Sequence, residues 1–143
     1  MYIVKSLEIR RVAYSHFEDV IHAIRHEVFI KEQHVPKKLE FDKNDRIATH
    51  ILGFIEKRPV ATGRIAPDGK IGRMAVLKEF RNQGIGGKIL ESLIEIGKEK
   101  GMKEFYLSAQ SHAIPFYERY GFTVEGQTYK EAGIDHKLMK RKT

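Results

Sequence analysis

Two segments of this 143-residue chain carry side chains whose types and spacing could do chemistry. The first is Arg81-Asn82-Gln83-Gly84-Ile85-Gly86-Gly87, placed where a strand-like run gives way to a helical one. Glycines at a helix start let the backbone adopt positive φ and approach a ligand closely, and the first turn offers unpaired N–H groups at the positive end of the helix dipole. A phosphate or pyrophosphate is the natural occupant. Neither common phosphate signature fits, because no Gly-Lys-Ser/Thr follows and position 89, where the dinucleotide fingerprint needs a third glycine, is Ile. A glycine-rich helix start without a ligand is the plainer alternative. The second segment runs from Leu107 to Phe122: a strand end, small residues, then Phe116, Tyr117 and Tyr120 on a short helix. A phenol at such a place can donate a proton to a leaving group. Packing of the three aromatic rings on a sheet is the competing reading.

The surrounding pattern supplies elements to position both segments. A strand is predicted near Leu7–Tyr14, at the end of a strand-prone stretch that begins at Tyr2. Ser15 and Glu18 have capping-box spacing, and Phe17, Val20, Ile21, Ile24, Val28 and Phe29 form one helical stripe beyond them. Lys31 to Asp45 loses that period and reads as a loop or a loop with a short helix. Strands are expected over 48–55, 60–65 and 71–77, separated by turns at Glu56–Pro59 and Pro67-Asp68-Gly69. A helix over 84–100 buries Ile85, Ile89, Leu90, Leu93 and Ile94 and stops at Gly101. A short strand over 105–108, a short helix from about Ala113–Pro115, and strands near 122–129 and 136–140 complete the order. The unit formed by 71–77, 84–100 and 105–108 is a β-α-β crossover, for which parallel neighbouring strands are expected.

Composition narrows the class. The chain is 41% hydrophobic and 31% charged, with 12 Gly and 4 Pro, the profile of one folded domain. Without cysteine there is no disulfide framework, thiolate metal site or cysteine nucleophile. The longest run free of Asp, Glu, Lys and Arg is Phe105–Tyr117, short of the roughly 18–20 residues of a spanning helix. The N-terminus lacks the apolar run of a secretory leader, so a cytoplasmic protein without membrane attachment is expected. A net charge of +7 favours anionic partners, but the excess is divided evenly between the two halves. With no aromatic and basic recognition motif, nucleic acid ranks last among those partners.

Taken together, Arg-x-x-Gly-x-Gly after a strand and Phe116-Tyr-Glu-Arg-Tyr-Gly-Phe122 some 30 residues on resemble the GNAT superfamily of acetyl-CoA-dependent N-acetyltransferases. VFIKEQHVP at 28–36, LSAQSHA at 107–113 and EAGIDH at 131–136 are similar to its small bacterial ElaA-like branch. The resemblance implies a single α+β domain over 1–143, with a mixed, mostly antiparallel sheet of about six or seven strands around a central parallel pair, 71–77 and 105–108, flanked by helices. Acetyl-CoA is the implied co-substrate, and no metal is required. Met74, Ala75 and Val76 would pair with the pantetheine arm like an added strand. Amides of Gln83, Gly84, Ile85, Gly86 and Gly87 would hold the pyrophosphate, helped by Arg81 and Lys88, and Gln110 and Phe116 would also contact the cofactor. Position 110 usually carries Asn in this family; Gln reaches one methylene further. Tyr117 falls where many members carry the acid that protonates the departing thiolate.

On the acceptor side, an amine must lose a proton before it attacks. Glu32 and His50 are the candidate bases, with Glu27 and His112 behind them, although His50 lies between apolar neighbours as a core histidine would. Arg25, Arg64 and Arg73 could bind an acceptor carboxylate or phosphate, or simply form salt bridges. The implied reaction is direct acetyl transfer to a primary amine of a small molecule or peptide. A CoA-binding regulatory domain without turnover and acetylation of an RNA-linked amine are the alternatives. The last two strands offer an edge for a possible homodimer.

Overall fold

In a computed structural model of the protein, residues 6–40 and 42–143 are described. The part of the strand-prone N-terminal stretch from Tyr2 to Lys5 lies outside them. In chain order the elements are β1 (Leu7–Val12), α1 (Tyr14–Arg25) running on into a π-helix (His26–Glu32), α2 (Lys37–Glu40), a 3₁₀ turn (Lys43–Arg46), β2 (Thr49–Ile55), β3 (Arg58–Ile65) and β4 (Ile71–Val76). Then come α3 (Ile85–Glu99), β5 (Glu104–Gln110), α4 (Ile114–Glu118), β6 (Thr123–Glu131) and β7 (Ile134–Lys142).

The strands form two sheets, ordered β1-β2-β3-β4 and β5-β7-β6, and every ladder in them is antiparallel. The expected parallel pairing of β4 with β5 is reduced to one bridge, Lys70 with Tyr106. A bulge explains the divergence. Thr62 faces Ala75 and Arg64 faces Gly72, so Gly63 alone opposes both Arg73 and Met74, and Arg73 takes the left-handed conformation with φ 50°. An extra residue bends the strand that carries it and ends regular pairing there. Because β7 lies between β5 and β6, the second sheet has β6 as its outer edge and β5 as the edge that faces β4.

Helix α3 binds the two sheets together through positions without a side chain. A Cβ at Gly63 would lie 2.9 Å from Ile89 and Leu93, and one at Gly97 would lie 2.2 Å from the Phe105 ring. The helix therefore sits directly on β3 and on β5. Its predicted stripe, Ile85, Ile89, Leu90, Leu93 and Ile94, is buried in the main core with Ile51, Val60, Phe105, Phe122 and Met139. Two-residue turns at Glu56-Lys57 and Ala132-Gly133 have positive φ at both positions, the geometry that matches strand twist in tight hairpins.

Two local expectations change. The capping box at Ser15 and Glu18 is not formed: the helix begins at Tyr14, Ala13 is its extended N-cap, and no side chain caps it. Tyr14 is instead drawn inward, its hydroxyl 2.6 Å from His22 Nε2 and its ring stacked on His50. The region 31–45 contains α2 and the 3₁₀ turn, and buries Glu40 and Asp45.

At the one bridge between the sheets, Gly69 has φ 95°, its carbonyl accepts from Tyr106 N–H at 3.2 Å, and a Cβ there would lie 2.4 Å from the Glu104 carbonyl oxygen. Gly69→Ala is expected to lower unfolding stability by about 1–3 kcal/mol, the cost of overpacking against a backbone that cannot retreat. Denaturant melts of the two proteins check this.

Candidate active site

Where β4 leaves β5, its outer edge has no strand partner. Leu77 N–H donates to Val60 O at 2.9 Å, so alternation turns the polar groups of Val76 away from β3 and toward the gap. The Val76 carbonyl accepts from Arg81 Nε at 2.9 Å. Met74, Ala75 and Val76 therefore border an opening between the two sheets.

The glycine segment stands at the end of that opening. Gly84 is the N-cap of α3 with φ 81°, Asn82 also has positive φ, and no side chain caps the helix. With Lys88 N–H already donating to Gly84 O at 3.2 Å, the amides of Ile85, Gly86 and Gly87 are the orphans of the first turn. No acidic side chain lies in that turn to oppose an anion. A Cβ at Gly84 would meet nothing within 4 Å. Gly87 is small for a different reason, since a Cβ there would sit 2.0 Å from the Tyr120 hydroxyl. Gln83 Oε1 is buried without a hydrogen-bond partner among the described residues. Phe116 packs edge-on against Tyr117 and closes the far side of Gly86.

Arg81 does not reach freely toward an anion. Its guanidinium grips the Glu32 carboxylate at 2.8 and 2.7 Å, tying the end of the π-helix to the end of β4. The Arg81 hydrogen bond also holds the Glu32 carboxyl below its ordinary pKa. Of the two candidate bases, Glu32 is thus engaged by Arg81, and His50 is buried beneath the Tyr14 ring. The His50 Nε2–H donates to Asp45 O at 2.8 Å, and burial lowers its pKa. Gln110 is likewise occupied, its amide donating to Gln33 Oε1 at 2.9 Å across the opening.

Below these residues lies a cavity of about 500 Å³, bordered by Phe29 and Gln33 from the π-helix and its end, Met74 from β4, Ser108 from β5, Tyr117 from α4 and His136 from β7. The π-helix matters because its wider turn carries Phe29 and Gln33 to the cavity wall, a use typical of such segments. The Tyr117 hydroxyl makes no hydrogen bond among the described residues, and burial pushes the phenol up to about 12. It therefore keeps its proton at neutral pH.

One wall of the cavity is a buried ion network. Arg25, fully buried, bonds Glu40 through Nε and Asp45 Oδ1 through Nη1 at 2.8 Å. Arg64 reaches Asp45 at 2.5 Å and Asp42 at 2.8 and 2.9 Å, and Arg73 reaches Asp42 at 3.0 Å and the Glu40 carbonyl at 3.1 Å. The three arginines considered as acceptor ligands are thus matched by Glu40, Asp42 and Asp45. Their pairing fastens the 37–46 segment to α1, β3 and β4. The opposite wall holds Ser108, Glu131 and His136, which the sequence reading left out as site residues. The tight Ala132-Gly133 turn was the available signal, because it sets Glu131 opposite Ile134 and Tyr129 opposite His136. No group of three or more His, Asp or Glu among the described residues could hold a metal ion, and no helix among them is long and apolar enough to cross a membrane.

The acetyltransferase (GNAT) domain family model matches residues 12–143. The Bacillus subtilis protein YyaT is 40% identical over 124 residues, covering 82% of this chain and 84% of YyaT. Protein ElaA of Escherichia coli is 32% identical over 127 residues, with 82% of each chain covered. The crystal structure of Escherichia coli ElaA superposes with a TM-score of 0.85 at 28% identity, over 95% of this chain and 99% of that one. An acyl-CoA N-acyltransferase from Pseudomonas aeruginosa superposes with a TM-score of 0.86, also at 28% identity and the same coverage.

The ion network sets an acid limit on the fold. Arg64 beside Asp42 holds its carboxyl down from 3.8 to about 2; for Asp45, burial pushes upward but Arg25 and Arg64 outweigh it, leaving it below the ordinary value. Depressed carboxylates contribute stability that is complete above the unfolded value and is lost as pH falls through the folded one. Stability is therefore expected to drop between pH 3.8 and about 2, and Asp42→Asn should flatten that part of the curve. Urea melts at a series of pH values check it.

Proposed function

The chain belongs to the acetyltransferase (GNAT) family, and from that premise we propose that it moves an acetyl group from acetyl-CoA to a primary amine of a small molecule or peptide in the cytoplasm, by direct attack. The observation that carries this reading is the succession of three features along β4 and α3: uncapped amides at the start of α3, the unpaired edge of β4, and the cavity bordered by Met74 of that strand and by Tyr117. The three match the three parts of acetyl-CoA, namely phosphates, an amide-bearing arm, and a reactive thioester.

The residues fit that ligand chemically. Amides of Gln83 to Gly87 offer donors to a pyrophosphate at the positive end of α3. Val76, with Met74 and Ala75, offers strand-edge groups to the pantetheine arm. The orphan Gln83 Oε1 is a buried acceptor, suited to an N–H donor of the same ligand. Phe116 walls the passage and Gln110, through Gln33, spans it. Arg81 orders the loop through Val76 and Glu32, its charge matched by the Glu32 carboxylate. A backbone amide near the β4 bulge donates to the thioester oxygen as it gains charge, a contribution of about 10²–10³ in rate for one such donor.

Tyr117 is the acid. A phenol held near 12 remains protonated and gives its hydrogen to the sulfur as the C–S bond breaks. Tyr117→Phe is expected to leave acetyl-CoA affinity unchanged and to lower the acetylation rate by about 10²–10⁴. Calorimetric binding and a free-thiol assay over a panel of primary amines separate the two effects. Equal rates in the two proteins would remove Tyr117 from the chemistry, and binding without turnover of any amine would leave a CoA-binding domain that lacks catalysis. Gly84→Asp places a carboxylate where it can cap the orphan amides itself, and acetyl-CoA is expected to bind about tenfold more weakly.

A further inference from the structure

We propose that His136, set against Glu131, is the base that takes the proton from the acceptor's ammonium. The assignment rests on the transferase reading above and deepens it, because it says what kind of acceptor the cavity receives and how that acceptor is activated.

The ring is held in one tautomer. His136 Nδ1 lies 2.7 Å from Ile134 O, and since a carbonyl only accepts, the hydrogen of that bond belongs to Nδ1. In the neutral ring Nε2 then carries a bare lone pair. Glu131 Oε2 stands 3.5 Å from that nitrogen. A lone pair and a carboxylate facing each other are two acceptors with nothing to donate between them. A primary ammonium, with three N–H groups, satisfies both at once.

The pair is also held in place from behind. Tyr129 lies directly opposite His136 in the β6–β7 ladder, and its ring stacks on the imidazole at 6.1 Å between centroids. The Tyr129 hydroxyl bonds Ser108 Oγ, which in turn lies 3.5 Å from Glu131 Oε2. His136 is buried yet borders the same cavity as Tyr117, so base and acid open onto one space. The other charged or titratable groups facing that space are Lys70, Tyr117 and the network of Glu40, Asp42, Arg64 and Arg73, while His112 lies in the turn packed on β7. Among the described residues, only Glu131 comes within ion-pair distance of the His136 ring.

The proton balance closes. Nε2 takes one proton from the ammonium, and the freed amine lone pair forms the C–N bond at the thioester carbon. As the C–S bond breaks, the sulfur takes the Tyr117 proton. The nitrogen sheds its second proton, which restores Tyr117 through solvent, and His136 releases its proton to the medium. Glu131 stabilises the imidazolium while it exists. The net products are an amide, free CoA and one proton.

The test uses two small acceptor probes, butylamine, which is protonated at neutral pH, and methoxyamine, which is not. Full-length wild type and His136→Asn are compared with both, after showing that they bind acetyl-CoA equally. The ratio of butylamine to methoxyamine rates is expected to fall about 10²-fold in the variant, the lower bound for losing a general base. An unchanged ratio overturns the assignment while leaving the transferase reading intact. A wild type that acetylates neither probe brings down the transferase reading itself. Glu131→Gln supplies a readout that a packing role would not move: with the carboxylate's attraction for an ammonium gone, KM for butylamine rises about threefold while KM for methoxyamine stays the same. Equal KM changes for the two probes remove Glu131 from the proposal.

Discussion

Strands β4 and β5 touch at one parallel bridge and then part, and the rest of the molecule is arranged around that parting. Unpaired backbone groups along a strand edge are costly when shut away from water, so two such edges facing each other persist only where something else can pair with them. The fold forces the gap at one end and closes it at the other. The bulge at Arg73 bends β4 outward, while Gly69, Tyr106 and the Tyr106–Asp68 hydrogen bond fasten the sheets at the opposite end. Helix α3 lies across both sheets through Gly63 and Gly97 and prevents them from closing further or separating. The same helix presents its bare N-terminus at the mouth of the gap. One constraint thus yields both the passage and the anion-favouring end of it.

Charge is distributed unevenly around the cavity. On one wall Arg25, Arg64 and Arg73 are matched by Glu40, Asp42 and Asp45, each largely removed from water or bridged to its neighbours. Buried ion pairs of this kind contribute little net stability compared with apolar packing, but loss of one partner strands an uncompensated charge. Their evident effect here is positional: a segment with little regular structure is pinned to α1, β3 and β4 and becomes a wall. The Arg81–Glu32 pair does the same at the upper edge, and Gln33–Gln110 spans the opening between them. The other wall carries Ser108, Glu131 and His136, polar groups that open onto the cavity without a guanidinium among them.

Legibility in the sequence followed the range of the interaction that decides each feature. The stripe of α3, its stop at Gly101 and the glycine-rich helix start depend on neighbours a few residues apart, and the structure places each where the pattern predicts it, while the hairpin turns tighten to Glu56-Lys57 and Ala132-Gly133 as the flanking strands run longer than expected. The capping box at Ser15 had the right spacing and failed because Tyr14 finds His22 and His50 and draws the helix start back by two residues. The parallel β4–β5 ladder failed because a single left-handed residue, Arg73, bends its strand away, and no residue type announces an arginine at positive φ.

Element types, their order, the glycine turn and the location of Tyr117 were determined by the sequence alone, since dihedral preference and hydrophobic period are properties of adjacent residues. Which charges neutralise one another was decided only in three dimensions. Glu32 is separated from Arg81 by 49 residues, Arg25 from Glu40 by 15 and Gln33 from Gln110 by 77. A carboxylate read in isolation is equally a base, a salt-bridge partner or a solvated surface group. Only the tertiary structure, by bringing a guanidinium to Glu32 and setting Glu131 beside His136 at the cavity, shows which partner each carboxylate has.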